Sequence, residues 1–228
     1  MGFRSPPVLS VSRVYAAEQV DGMHAGTLTA VIRLYGCGVR CPWCDVPFTW
    51  DPAPKRATFA EVTDPAAMGA LVVEATPDVL ADWVATHGLR HVLITGGEPF
   101  EQNLLRLYPA LIDRGCYIQV ETSGTVAVPD RDLIDTDWIT VSPKRGLSGK
   151  RPVVARMVDF ADEIKMPVAG PRDVHALRAL LRTRQGPDVP VWLQPIDQAP
   201  EAARLCQDAA ARYGWHVSGR DPQASRMI

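Results

Sequence analysis

Six short runs of apolar and β-branched residues, at 29–35, 91–95, 117–121, 138–141, 157–164 and 189–194, punctuate the chain, each bounded by Gly, Pro or Ser. Helical patterns lie between them. Thr76-Pro77-Asp78 offers an N-cap followed by proline at the first helical position, with Gly88 as the stop. Further helical patterns cover 99–114, ending at Gly115, then 173–184 and 201–212. Near-continuous apolar strands alternating with helices predict an α/β fold built on a parallel sheet covered by helices. Six strands are too few to close an eight-stranded barrel, so an open, partial β/α barrel is expected. The stretch 46–64, rich in Pro and Thr, reads as a long loop or short insertion over the mouth of the site. The 228 residues fit a single domain, 1–228, large enough for a real core.

The first of those runs leads into Cys37-Gly38-Val39-Arg40-Cys41-Pro42-Trp43-Cys44, a C-x3-C-x2-C loop. Three soft thiolates on one tight loop suit an iron–sulfur cluster. A 4Fe–4S cube held by three cysteines keeps one iron free of protein ligands, and that iron can bind and reduce an exogenous molecule. A structural zinc site would need a second pair of Cys or His ligands. Cys116 and Cys206 are isolated and read as buried apolar residues, and no His pair has finger-like spacing. Three cysteines so close cannot all pair as disulfides, and the N-terminus lacks the apolar core of a signal peptide. A reduced, cytoplasmic setting follows.

A net charge of −2 gives no global basic field for nucleic acid, and no apolar run reaches membrane-spanning length. Only Lys55, Lys144, Lys150 and Lys165 are lysines among 24 basic residues. In a chain that otherwise writes arginine, a surviving lysine is a candidate for a role only lysine fills.

Further motifs end successive strands. Thr95-Gly96-Gly97-Glu98-Pro99 follows the run 91–94, where two glycines allow close backbone approach to a ligand and Glu98 offers an acceptor for a ligand ammonium. The alternative is a plain strand-to-helix turn. Val120-Glu121-Thr122-Ser123-Gly124-Thr125, Val141-Ser142-Pro143-Lys144 and Trp192-Leu193-Gln194-Pro195-Ile196-Asp197 end the later strands with hydroxyls, a carboxylate, a cation and an amide. Trp43, between two cysteines, suits shielding of a cluster and stacking on adenine, or simple packing.

The cysteine spacing resembles that of the radical S-adenosylmethionine (SAM) enzymes, and Thr95–Pro99 matches their motif for the methionine amino group of SAM. The series continues through Glu121-Thr122-Ser123-Gly124, Ser142-Pro143-Lys144 and Leu193-Gln194-Pro195. Upstream, Gln19-Val20-Asp21-Gly22, Gly26 and Arg33-Leu34-Tyr35-Gly36-Cys37 fall at matching spacings. From about Val14 to Asp197 the chain thus resembles the 7-carboxy-7-deazaguanine synthase family of queuosine and deazapurine biosynthesis.

That resemblance implies a shortened barrel, a homodimer, and an electron donor such as a flavodoxin or ferredoxin. The implied substrate is 6-carboxy-5,6,7,8-tetrahydropterin. A 5′-deoxyadenosyl radical from SAM takes hydrogen from C6, the ring contracts, ammonia leaves and SAM is regenerated, with Mg2+ assisting. Cys37, Cys41 and Cys44 would hold the cluster. Trp43, Gly97, Glu98, Ser142, Pro143, Lys144 and Gln194 would serve SAM, and Glu18, Gln19, Val20, Asp21, Arg33 and Thr95 the pterin. A guanidinium at Arg33 suits a carboxylate by bidentate pairing.

Three departures stand out. Val46 occupies the place of a Mg2+-binding threonine and offers no oxygen, leaving Thr49 or Asp51 as substitutes. The Q-G-E-G turn has become Gln19-Val20-Asp21-Gly22, and the family's C-terminal pattern is not recognisable in 216–223. Three competing readings follow: a variant acting on a different heterocyclic substrate, a small radical SAM activase that places a glycyl radical on a partner protein, and a non-catalytic redox or binding protein. An activase would need an open docking face, a pterin enzyme a closed pocket with Arg33 inside.

Overall fold

A computed structural model describes residues 7–128, 130–144, 151–196 and 199–218. Lys150, Asp197 and positions 219–223 of the sequence reading lie outside these residues. Among these residues ten strands form one sheet: β1 Leu9–Glu18, β2 Leu28–Leu34, β3 Lys55–Arg56, β4 Leu71–Ala75, β5 His91–Gly96, β6 Tyr117–Thr122, β7 Trp138–Val141, β8 Glu163–Val168, β9 Val191–Pro195 and β10 His216–Val217. Their order is β10-β9-β8-β7-β6-β5-β2-β1-β4-β3. Two edges remain, so the barrel is open, as expected. From β2 through β5 to β10 all pairings are parallel. The exception is β1, antiparallel to both β2 and β4. The sheet is therefore mixed at one side.

Among the described residues six α-helices accompany the sheet: α1 Phe59–Val62, α2 Pro77–Thr86, α3 Leu107–Ile112, α4 Ala155–Asp159, α5 Pro171–Thr183 and α6 Pro200–Tyr213. Thr76 caps α2 with its side chain, and Pro77 opens it. Gly214, at φ 69°, ends α6 in the left-handed conformation that glycine adopts without strain.

Several elements differ from the sequence expectation. The apolar run 157–164 is split, its first part closing α4 and its last residues opening β8. Periodicity cannot separate a short apolar helix from a buried strand, and here the two abut. The expected helix over 99–114 is a 3-10 turn at Pro99–Glu101 followed only later by α3. Gln102 breaks the helix by bonding the backbone of Ser10 and Tyr35, and Asn103 forms a local side-chain turn onto Leu105. The stretch 46–64 carries a 3-10 turn at Pro47–Thr49, β3 and α1, and α1 has a full Thr58/Glu61 capping box.

Side chains alternate across every inner strand. One face is apolar and fully buried, with Ile32, Leu34, Ile94, Ile118, Ile139 and Ile164 in the main core. The other, concave face carries the polar positions: Thr29 and Arg33 on β2, Thr95 on β5, Gln119 and Glu121 on β6, Thr140 on β7, and Glu163 and Lys165 on β8. The strands thus present one oily face to the helices and one chemically equipped face to the inside.

Candidate active site

A cavity of about 1270 Å³ opens above the carboxyl ends of the parallel strands, where α/β sheets gather their ligands. All three loop cysteines line it. They are free thiols, with Cys41 buried and Cys37 and Cys44 half-buried. Burial pushes the Cys37 thiol up from its ordinary value, opposed by hydrogen bonds from the backbone at Arg40 and Val39. Burial likewise raises Cys41, with Lys144 opposing and the neighbouring Cys37 and Cys44 adding to the rise. Thiols held this way release their protons when a metal takes their place. Among the described residues no three His, Cys, Asp or Glu side chains converge as the ligands of a single ion would. An iron–sulfur cube gives each thiolate its own iron, so its three ligands need not converge on one point. Cys116 and Cys206 are buried in the apolar core.

The Gly-Gly turn after β5 grips the cysteine loop. Gly97 donates its N–H to Leu34 and Glu98 donates its own to Gly36. A Cβ on Gly97 would lie 1.8 Å from the Gly36 oxygen, and one on Gly96, at φ 124°, would lie 2.3 Å from the Leu34 nitrogen. The close approach that requires glycine here is therefore backbone to backbone, between two strand ends. Glu98 corrects the sequence reading more sharply. It is fully buried and does not line the cavity. Its carboxylate accepts from the Thr122 hydroxyl at 2.6 Å and from the Ser123 amide at 2.9 Å, with the Ser123 hydroxyl close by. Glu98 ties the end of β5 to the end of β6 and leaves no open face for a ligand ammonium.

Across the cavity, Ser142 and Lys144 lie together, with Lys144 Nζ donating to Ser142 Oγ at 2.8 Å. Both line the cavity, as do Trp43, Gly97 and Gln194, whereas Pro143 is buried behind them. Glu18, Gln19, Val20, Asp21, Arg33 and Thr95 all line the same space. Arg33 donates to the Tyr15 hydroxyl at 2.9 Å. Its cross-strand partner is Arg13, a second cavity-lining guanidinium that is only 8% exposed. Arg13 donates to the carbonyls of Ser12, Ala67 and Gly69 and lies over the Phe48 ring. Burial first, and the charge of Arg33 second, push its pKa down. Among the described residues neither guanidinium has a carboxylate partner, so this wall is open to an anion.

The opposite charge sits deeper. Lys165 is buried and pairs with Asp21 at 2.8 Å and Glu121 at 2.9 Å. Burial alone would lower its pKa, but the two carboxylates more than offset that and hold it raised. Gln194 donates to the second Asp21 oxygen at 3.3 Å. Two of the four lysines, Lys144 and Lys165, thus face the cavity, while Lys55 pairs with Glu61 on the surface. Lys165 as a site residue escaped the motif reading. Its signal was the period-two pattern Glu163, Lys165, Pro167, hidden because the strand was placed too early. Near the mouth, Val46 lines the cavity without an oxygen to offer. Thr49 lines it too, but its hydroxyl donates to the Val46 carbonyl. Asp51 does not line it and instead accepts from the Ala53 amide.

An open β/α barrel with a three-cysteine loop after one strand and a Gly-Gly turn after the next defines a radical SAM enzyme. No protein-family model matches the chain. The 7-carboxy-7-deazaguanine synthase of Escherichia coli (strain K12) is 36% identical over 217 residues, covering 91% of this chain and 94% of the relative. The synthase of Pyrobaculum aerophilum is 29% identical over 225 residues, covering 94% and 93%. The crystal structure of QueE from Escherichia coli superposes with a TM-score of 0.84 at 33% identity, covering 93% of this chain and 94% of that one. The chain belongs to the 7-carboxy-7-deazaguanine synthase family.

Proposed function

We propose that this chain converts 6-carboxy-5,6,7,8-tetrahydropterin to 7-carboxy-7-deazaguanine with loss of ammonia. The observation that carries this reading is the charge division of the cavity, with Arg13 and Arg33 on one wall and the Asp21–Lys165–Glu121 group on the floor. A carboxypterin has the complementary polarity. Its carboxylate suits a guanidinium, and its aminopyrimidine edge, rich in N–H donors, suits carboxylate acceptors. A concave cavity with Arg33 among its lining residues also fits a small heterocycle better than the open docking face that an activase would need.

Cys37, Cys41 and Cys44 hold the 4Fe–4S cluster, which when bound supplies the electron that cleaves SAM. The protein's own part is to bind, orient and shield. Trp43 covers the cluster side, Ser142 and Lys144 engage the ribose and carboxylate of SAM, and Gly97 keeps the adjacent strand ends together. Arg33 takes the pterin carboxylate, with Arg13 adding field behind it. Thr95, between the two groups, offers a hydroxyl to the ring. Glu18, Gln19, Val20 and Asp21 border the pterin from the turn after β1. Gln194, bonded to Asp21, lies where the SAM and pterin sets meet. The family resemblance supports a flavodoxin or ferredoxin as electron donor, a homodimer and a cytoplasmic setting, and no helix among the described residues is long and apolar enough to cross a membrane.

The test is anaerobic reconstitution with iron and sulfide, then incubation with SAM, reductant and the carboxy-tetrahydropterin, read by mass spectrometry. The deazaguanine product is expected from wild type, Cys116→Ala and Cys206→Ala, and from none of Cys37→Ala, Cys41→Ala or Cys44→Ala. Iron-loaded wild type that cleaves SAM without consuming the pterin would overturn the substrate assignment.

A further inference from the structure

From Gln19, at the edge of the cavity, a chain of hydrogen bonds runs inward to buried groups that do not line it. The turn between β1 and β2 folds under the concave face. Its residue Gln19 donates from Nε2 to Gln119 Oε1 on β6 at 2.9 Å. Gln119 Nε2 donates to Thr140 Oγ1 on β7 at 3.1 Å, and Thr140 donates to Glu163 Oε1 on β8 at 2.7 Å. The other Glu163 oxygen accepts the backbone N–H of Met23 at 2.9 Å, which returns the chain of bonds to the turn where it began. With Glu163 ionised, every step has a fixed donor sense. An ionised carboxylate only accepts, so Thr140 must donate to it and must accept from Gln119.

Glu163 is 1% exposed and does not line the cavity. It touches the turn at a second point. Gly22, at φ 76°, is in the left-handed region that favours glycine, and a Cβ there would lie 2.8 Å from Glu163 Oε1, so the carboxylate would have to shift. Two residues further along β8, on the same face, Lys165 binds the carboxylate of Asp21. Adjacent inward positions of one strand therefore grip consecutive residues of one turn: Lys165 the side chain of Asp21, Glu163 the backbone at Gly22 and Met23.

We infer that Glu163 is a positioning residue for substrate recognition: by fixing Gly22 and Met23 it sets the height and orientation of Asp21 on the cavity floor. This rests on the placement of the pterin against Asp21 proposed above. It explains why a buried carboxylate is kept at a place with no cation in contact, where burial pushes its pKa up. An amide of the same shape cannot substitute. Turned one way, its NH2 group opposes the Met23 N–H. Turned the other way, it strands the Thr140 hydroxyl proton.

The experiment compares wild type, Glu163→Gln and Thr140→Val. Pterin binding to reconstituted protein is measured by anaerobic equilibrium dialysis, together with SAM binding, thermal stability and steady-state kinetics. Glu163→Gln should weaken pterin binding and raise KM roughly tenfold, the size expected for one lost hydrogen bond to a charged group. SAM affinity should be unchanged and kcat should hold within about twofold. Thr140→Val keeps the β-branched shape, removes one donor and should move KM in the same direction by a smaller factor. It carries the test alone if Glu163→Gln does not fold. Wild-type pterin affinity in a folded variant would overturn the inference, as would equal losses of pterin and SAM binding, which would mark a merely structural role. If wild type itself neither binds nor turns over the pterin, the substrate reading fails first and takes this inference with it.

Discussion

Asp21 and Lys165 stand 144 positions apart in the chain and 2.8 Å apart in the fold. With Glu121 on its other side, Lys165 is, among the described residues, the one cation in contact with both carboxylates on the cavity floor. Replacing it with Met would leave two partly buried like charges facing one another. Breaking a buried pair in this way costs about 3–5 kcal/mol. Lys165→Met should therefore melt well below wild type by calorimetry and lose pterin turnover. Adding Asp21→Asn and Glu121→Gln to it should recover much of the melting temperature but not the activity. Unchanged stability in the single variant would show that the three groups are not coupled.

Arg33 and Arg13 share one wall, and only Arg33 is free of backbone carbonyl partners among its recorded bonds. Arg33→Ala should raise the KM for the pterin while SAM binding is retained, because a buried carboxylate loses a charge-assisted partner worth about 2–5 kcal/mol. Arg33→Lys should rescue only part of this, since an ammonium cannot reproduce the planar fork. Kinetics identical to wild type in the Ala variant would refute the pairing.

Gly97→Ala tests the contact between strand ends. The new Cβ would press on the Gly36 oxygen, next to Cys37. Iron content after reconstitution should drop along with SAM affinity. A variant that loads iron fully yet fails to bind SAM would place the reason for this glycine in the ligand instead.

Mg2+ should matter little, because Val46 lends no oxygen and Asp51 does not line the cavity. Turnover after chelator treatment is expected to stay near its starting level across a Mg2+ titration, while Val46→Thr should acquire a response. Strong activation of wild type that survives Thr49→Val would contradict this account of the loop.

Burial holds His91 below the usual imidazole value, only partly opposed by its bond to Gln119, and burial does the same for His24. Both rings lie at the turn under the barrel, within 4.7 Å of each other by centroid. The unfolded chain then takes up protons before the folded one as the pH drops. Their contribution to stability is complete above about pH 6.5 and is lost as the pH falls through the lower folded-state values. The melting temperature should fall on acidification across that window. His24→Phe, which keeps an aromatic ring against Tyr117 and Trp138, should flatten the dependence. An unaltered slope would exclude His24 as a source.

What the sequence revealed depended on contiguity. The cysteine triplet, Thr95–Pro99 and Ser142-Pro143-Lys144 are continuous strings at strand ends, and their place around one cavity could be read directly. The direction of a carboxylate could not. Glu98 reads as a ligand acceptor until Thr122 and Ser123, hydroxyls from the next strand, are seen to consume it. Lys165 and Glu163 were obscured because Met157, Val158, Ala161 and Ile164 form one apolar run across a helix and a strand. The edge strands β3 and β10, and the interior strands β1 and β4, have no delimited run of their own in the sequence reading either. β3 and β10 are two residues each, too short for a period, and β1 owes its direction to pairing with partners on both sides.

The floor under the cavity also fixes an order of events during synthesis. The turn carrying Gln19, Asp21 and Met23 leaves the ribosome early, yet its anchors Glu163 and Lys165 lie 140 and 144 residues later. Until β8 has been made and has docked, that turn can close against β6 through Gln19, but Asp21 and Met23 lack their anchors and the base of the pocket is unfinished. Contacts of such long range make late steps in folding. A nascent or C-terminally shortened chain that stops before β8 is therefore expected to fold its first strands and its cysteine loop around a base whose Asp21 end is not held.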